Sequence, residues 1–382
     1  MTSKKRILLL IDWYTPGFKA GGLIKSCESI ISRFSDLYDF DIFTSDRDLG
    51  DTLPYDNVEL NEWNKGDYNC RIFYASKESF YRELITLIKK GKYDTIYLNS
   101  FFSLRFTIIP LIFLRWHKSS ARIVLAPRGM LGAGALAIKS LKKNVFIIIS
   151  KLLNLYKSVI WHATSKIEEE EILKVMGRNV QVITADDTCT QLNLTYTSLT
   201  KKPGHLKAIF LSRISRKKNL DFALKVLLNV DHEVVVDFHI YGPIEDDEYW
   251  KECLRIIAKM PANINIHIEG EVHPSGVLSI FSNSHLFFFP THHENFGHVI
   301  FESFAASCPV LLSDNTPWRN IEEKGAGYVF SLSDENKFIQ CINEFASMNQ
   351  VAYDHWRLGA FQLAKKHLNN EELTLSYQKL FG

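Results

Sequence analysis

The chain has 382 residues, more than twice a typical ~150-residue domain, so two domains are expected and a single small one is excluded. Its 45 Lys and Arg nearly balance 43 Asp and Glu, a net charge of +2 that argues against a uniformly basic nucleic-acid binder. With 46% hydrophobic and 23% charged residues the composition is globular, and long-range disorder is excluded.

The first predicted element is the strand RILLLI (6–11). Residues 4–12 (KKRILLLID) start basic and turn apolar, but Asp12 and Trp13 follow at once without a small-residue cleavage site, so they read as a strand and not a signal peptide. Further β-rich runs follow at FDIFTS (40–45), RIFYAS (71–76), TIYLNS (95–100), RIVLAP (122–127), SVIWHA (158–163) and VQVITA (180–185). Helical spacing between them, as at 23–34, 78–91 and 165–176, is the mark of a parallel α/β sheet. The apolar run 106–114 is too short to span a bilayer, and 144–160 is interrupted by Lys151, Asn154 and Lys157.

From Thr95 to Ile167 there are eleven Lys and Arg and no acid, so the remainder of the chain is net acidic. Within this stretch residues 136–160 interleave Lys with Leu, Ile, Val and Phe, as an interfacial helix on an anionic membrane does. A core helix with a solvated basic face is the alternative reading. Nucleic acid is not expected as a partner, because aromatics do not interleave as a stacking platform requires.

Residues 186–206 lose the rhythm and become polar, and a second α/β series then runs through 207–213, 234–242, 264–269, 286–291, 309–314 and 327–332. The expected organisation is a first domain at 1–190, a linker at 191–205, a second domain at 206–365 and a helical tail at 366–382 that packs back on the first domain. The fold class expected is α/β with two doubly wound, Rossmann-like parallel-sheet domains facing a cleft, where the strand carboxyl ends would hold ligand. The six scattered cysteines show no metal or redox spacing and suit a reducing cytoplasm.

The richest segment is PTHHENFGHVIFESFAASCPV (290–310). A strand ends, a loop carries Glu294, and Phe296-Gly297-His298 leads into a helix whose second turn carries Glu302. Two carboxylates flanking a helix N-terminus suit vicinal hydroxyls on either side of a phosphate, with Gly297 permitting its close approach. The bland alternative is a helix-start acid and a solvated helix face. His293 and His298 are five apart, so the HExxH zinc pattern is absent and no metal is expected. Arg213 and Lys218 in LSRISRKKNL (211–220) end another strand, where two cations can neutralise a diphosphate leaving group.

These two segments resemble retaining glycosyltransferase family 4 of the GT-B fold, whose signature is a Glu pair separated by seven residues after a strand, with an Arg and a Lys five apart. Weaker echoes are Gly21-Gly22 in PGFKAGG (16–22), Tyr241-Gly242-Pro243 and Gly270-Glu271-Val272. The resemblance implies that Glu302 binds ribose, Glu294 the donor sugar, and Arg213 with Lys218 the diphosphate. Phe296, Gly297, His298, Gly21, Gly22, Gly242 and Val272 line the donor on the same grounds. The first domain would face the acceptor. Many relatives carry a His near the donor sugar where this chain has Ala126-Pro127-Arg128-Gly129, which leaves Arg128 and His162 as acceptor or phosphate candidates.

Residues 313–319 (SDNTPWR) resemble a subgroup acting in bacterial polysaccharide assembly. The expected function is thus metal-independent retaining transfer of a sugar from a UDP- or GDP-sugar to a lipid-linked glycan acceptor, in O-antigen or capsule-like biosynthesis. No cofactor beyond that donor is expected. The expected location is the cytoplasm, peripheral on the cell membrane. A nucleotide-sugar epimerase, a phosphorylase or a non-catalytic sugar-binding protein are the alternatives.

Overall fold

The computed structural model describes residues 4–137, 140–190 and 194–382. They form two compact units, Met1–Gln191 with Asn370–Gly382, and Leu192–Asn369.

In the first unit the order is β1 (Lys5–Leu10), α1 (Gly22–Phe34), β2 (Tyr38–Ser45), β3 (Trp63–Lys65), β4 (Arg71–Ala75), α2 (Phe80–Lys90), β5 (Thr95–Asn99), α3 (Ile109–Trp116), β6 (Arg122–Ala126), α4 (Ala133–Ala137), α5 (Ser140–Leu152), β7 (Val159–Ala163), α6 (Lys166–Met176) and β8 (Gln181–Thr184). The sheet runs β3-β4-β2-β1-β5-β6-β7-β8, parallel except for β3 against β4. A strand covered on both faces must be apolar along its length, which is why β1 reads as a continuous run and not an alternation. Leu8 and Leu10 join one core with Phe80, Leu111 and Ile147, while Ile7 and Leu9 join the other with Ile30 and Phe34.

In the second unit follow β9 (His205–Leu211), α7 (Leu220–Leu227), β10 (Val235–Tyr241), α8 (Asp247–Ile257), β11 (Ile264–Gly270), α9 (Val277–Ser282), β12 (Leu286–Phe289), α10 (His298–Ala305), β13 (Val310–Ser313), β14 (Gly327–Phe330), α11 (Glu335–Ser347) and α12 (Gln350–Leu368). The order β11-β10-β9-β12-β13-β14 is parallel throughout. Phe288 and Phe222 pack on Phe338 of α11, and Phe287 packs on Phe281 of α9, so this sheet too has helices on both faces.

The last helix, α13 (Glu371–Phe381), belongs to the first unit. Leu373, Tyr377, Leu380 and Phe381 enter its core, and the Arg122 guanidinium donates to the Lys379 carbonyl at 2.8 Å. The boundary expected at 365/366 falls inside α12, because Leu363, Ala364 and Leu368 keep that helix's buried stripe going for another turn. Part of the expected linker is likewise built into the second unit. The fully buried Arg357 donates to the Thr197 carbonyl at 2.8 Å and to the Ser284 carbonyl at 3.3 Å, and Lys201 donates to the Ala346 carbonyl at 2.7 Å.

The strand order reverses at β1 in the first sheet and at β9 in the second. The carboxyl ends of β9 and β12 are therefore where an open sheet of this kind makes a crevice. No described helix is long and apolar enough to cross a membrane.

Candidate functional site

The loops after β9 and β12 are stitched together by their backbones. The Lys217 carbonyl accepts from the His292 amide at 2.9 Å and from the Thr291 hydroxyl at 3.0 Å, and Asn219 donates to the Pro290 carbonyl at 2.9 Å. The Glu294 amide donates to the Asn315 carbonyl at 3.0 Å, which adds the loop after β13. This stitching brings Lys218 and Glu294, 76 residues apart in the chain, into an ion pair, their side chains only 11% and 17% exposed. The Lys218 ammonium also lies 5.3 Å from the centre of the Phe289 ring. Burial raises the Glu294 carboxyl's pKa, but the Lys218 charge and hydrogen bond outweigh it and hold the group below its ordinary value.

Arg213 sits in the same group of loops and pairs with Glu245 after β10 at 2.8 Å. That pair is exposed, 44% and 47%, and contributes less than about 1 kcal/mol, so a stronger anion readily displaces it. Glu245 had no signal in the sequence, because its meaning depends on β10 ending beside β9.

Gly242 has φ 132°, and a Cβ there would lie 1.9 Å from the Ser212 carbonyl oxygen. Its amide donates to the Gly270 carbonyl at 2.7 Å, so its absent side chain allows three strand ends to close together. Val272 is half-buried in the loop after β11. Gly297 caps α10 in the left-handed region at φ 78°, and a Cβ would meet the Ile300 side chain at 2.7 Å. His298 and Glu302 are half-buried on α10, in its first and second turns. Phe296 turns its ring inward against Trp318, 5.4 Å between centroids, and its carbonyl accepts from the Trp318 indole at 2.6 Å. Its part at the site is thus to anchor the Glu294–Gly297 loop.

The remaining sequence candidates belong to the first unit. Gly21 caps α1 at φ 62° with open space where a Cβ would stand, and Gly22 is the first helical residue. The Phe18 and Lys19 amides just before them donate to Asp48 at 2.7 and 3.1 Å, which fixes the loop's course.

Arg128 and His162, expected as acceptor or phosphate candidates, are interior groups instead. Arg128 pairs with the buried Asp187 and donates to Asn99 and to the Tyr97 hydroxyl. His162 is fully enclosed. Its Nε2 faces the Ala185 carbonyl at 2.8 Å, which can only accept, so Nδ1 accepts from the Tyr97 hydroxyl at 2.6 Å. Burial and then the Arg128 charge push the imidazole down to about 4, leaving it neutral. A charge already matched inside the protein is not available to a phosphate.

Asp12, at the end of β1, is a group that the sequence did not single out. It accepts from the Ser103 hydroxyl at 2.7 Å, its other oxygen is enclosed without a hydrogen-bond donor, and burial raises it to about 6.

Residues 197–356 match the family described as Glycosyl transferases group 1. No curated protein sequence matches the chain. Among solved structures the chain is similar to HepE of Anabaena in complex with UDP and glucose, with TM-score 0.68 and 14% identity over 98% of each chain. It is also similar to sucrose-phosphate synthase of Thermosynechococcus elongatus, with TM-score 0.68 and 13% identity over 99% of this chain and 98% of that one. Trehalose-6-phosphate synthase OtsA gives TM-score 0.68 and 11% identity over 99% of each. The protein therefore has the two-domain GT-B fold of α/β glycosyltransferases. The residues that match the group 1 glycosyltransferase family lie within its second unit.

Proposed function

We propose that the protein is a retaining glycosyltransferase that moves a sugar from a nucleotide-diphosphate-sugar to a glycan acceptor, lipid-linked, in building a bacterial surface polysaccharide such as an O-antigen or capsule. The observation that carries this reading is the Lys218–Glu294 pair at the reversal point of the second sheet, beside the glycine-capped start of α10. A cation and a carboxylate held together there are matched to the two halves of a sugar phosphate. On binding, Lys218 and Arg213 exchange their carboxylate partners for the diphosphate, and Glu294 is released to accept from sugar hydroxyls. Glu302 takes the ribose hydroxyls, and the first-turn amides of α10 face the phosphates.

In the reaction the bond between the anomeric carbon and the diphosphate oxygen breaks, and a bond to the acceptor oxygen forms on the same face of the sugar. The acceptor proton passes to the departing diphosphate. The two cations stabilise the charge that grows on the leaving group, the task that a metal performs elsewhere. Retention and metal-independence rest on the resemblance of the Glu and Arg/Lys segments to family 4.

The acidless stretch supports a membrane-bound acceptor. On α5 the side chains of Leu141, Val145, Ile148, Ile149 and Leu152 are exposed, Leu152 by 76%. The adjoining end of α3 adds Trp116, 83% exposed, and is tied to the α5 end by Arg115 donating to the Asn154 carbonyl at 2.7 Å. Apolar side chains among Lys142, Lys151 and Lys157 suit the surface of an anionic bilayer. Lys139, within the basic run, lies outside the described residues.

The test is a thermal-shift and calorimetric screen of UDP- and GDP-sugars, UDP-glucose first. One donor is expected to raise the melting temperature by several degrees at saturation. Lys218→Ala is expected to weaken its binding at least about tenfold. No shift with any nucleotide-sugar would overturn the reading.

A further inference from the structure

At the β10–β11 edge one face, half-buried on β10 and exposed on β11, carries a ladder of histidines and carboxylates remote in kind from the donor site. His239 of β10 stands directly opposite His267 of β11, and Glu269, two residues on, shares their face. The two imidazole rings stack at 4.4 Å with 13° between planes, and His239 Nδ1 lies 2.7 Å from a Glu269 carboxylate oxygen. One nitrogen from each histidine and one oxygen from Glu269 all lie within 4.8 Å of one another. Among the described residues this is the one cluster of three metal-ligating side chains that converge so.

A further carboxylate stands beside the cluster. Asp237 has one carboxylate oxygen 3.8 Å from His267 Nε2 and the other 2.8 Å from His205 Nε2, and Asn265 donates to it at 2.8 Å. At 3.8 Å Asp237 makes no hydrogen bond to His267, but its negative charge beside the ring favours a cation there.

We propose that His239, His267 and Glu269 form a binding site for a divalent transition metal, with zinc as the reference ion. Two imidazoles and one carboxylate are a borderline donor set, suited to zinc, nickel or copper and unsuited to magnesium or calcium, which take oxygen ligands. Zinc–nitrogen bonds of about 2.0–2.1 Å put tetrahedral ligands about 3.3 Å apart. The His267 and Glu269 side chains are exposed and free to turn toward the half-buried His239 to close the present spacing to that value. Water completes the fourth position. Lys207 lies near enough to His239 for its charge to be felt there, and opposes the cation. A bound ion would clamp the ends of β10 and β11, immediately before Gly242 and Val272, and so stabilise the second unit.

The test titrates the untagged full-length chain with zinc chloride, by calorimetry and thermal melting, in parallel with His267→Asn, Glu269→Gln and a His239→Asn/His267→Asn double variant. Wild type is expected to bind one zinc per chain and to melt several degrees higher. Each single variant is expected to bind at least about tenfold more weakly, and magnesium or calcium at equal concentration to shift nothing. Circular dichroism checks that the variants are folded. Absence of zinc binding in wild type would overturn the proposal. So would equal affinity in the double variant, which would place the ion elsewhere, for instance on His292 and His293. Neither outcome depends on donor binding or transfer.

Discussion

Single residues here take their meaning from partners far away in the chain. His285 shows the principle as clearly as His162. Its Nδ1 accepts from the Lys207 amide at 2.9 Å, and its Nε2 donates to the Thr200 carbonyl at 3.0 Å, so a second proton would have to point at an N–H. Burial first, and the Lys201 charge among lesser causes, push it down to about 4. Both histidines therefore bind a proton in the unfolded chain before they do so in the native one. Their contribution to stability is complete above the unfolded value near 6.5 and is lost as pH falls toward 4. Asp12, raised to about 6, works in the opposite sense over much of that window.

The expected outcome is that His285→Gln is less stable than wild type at pH 7. Between pH 7 and pH 4.5, however, it loses about 2–3 kcal/mol less than wild type does, as read by denaturant titration. An equal loss in both proteins would contradict the neutral assignment. The sequence made His162 visible only as a lone histidine ending an apolar strand. Its two hydrogen-bond partners, 65 and 23 residues away, decide that it is structural.

Elements were far more legible than contacts. Thirteen of the strands follow from β-rich runs. The run is plainest in β5, β12 and β13, which lie inside a parallel sheet, are buried along their whole length and so are largely apolar, while the edge strands β8, β11 and β14 keep a weaker run. The exception, β3, has only three residues and pairs antiparallel at an edge, too short for a run to register. The strand–loop–helix around Glu294 was legible for the same reason, whereas its ion pair with Lys218 depends on β9 and β12 being neighbours.

Helix α5 illustrates a pattern that the sequence left open between two readings. Its exposed apolar row is more than a solvated basic face requires, since only Ile147 and Ser150 among its residues are buried. The double substitution Ile148→Glu/Leu152→Glu is expected to lower co-sedimentation with vesicles rich in anionic lipid severalfold while leaving the melting temperature within a few degrees. Unchanged co-sedimentation would return α5 to the bland reading.

For the whole molecule, the near-neutral net charge of +2 conceals an uneven distribution: the acid-free stretch lies entirely in the first unit, and the match to a glycosyltransferase family in the second. The last helix returns to the first unit, so it shares a sheet domain with β1. The Lys5 ammonium donates to the Gly382 carbonyl. Such a division suits a protein in which one unit holds a soluble donor and the other meets an acceptor on a membrane.

The most direct measurement is a transfer assay. Purified protein is incubated with a labelled donor from the binding screen and with lipid-linked saccharides extracted from bacterial membranes. Release of nucleoside diphosphate is followed together with label in the lipid phase. Our account predicts stoichiometric release and transfer, with the donor's anomeric configuration kept in the product, and a loss of at least about a hundredfold in Lys218→Ala. Transfer undiminished in Lys218→Ala, or donor binding with neither release nor transfer, would contradict it.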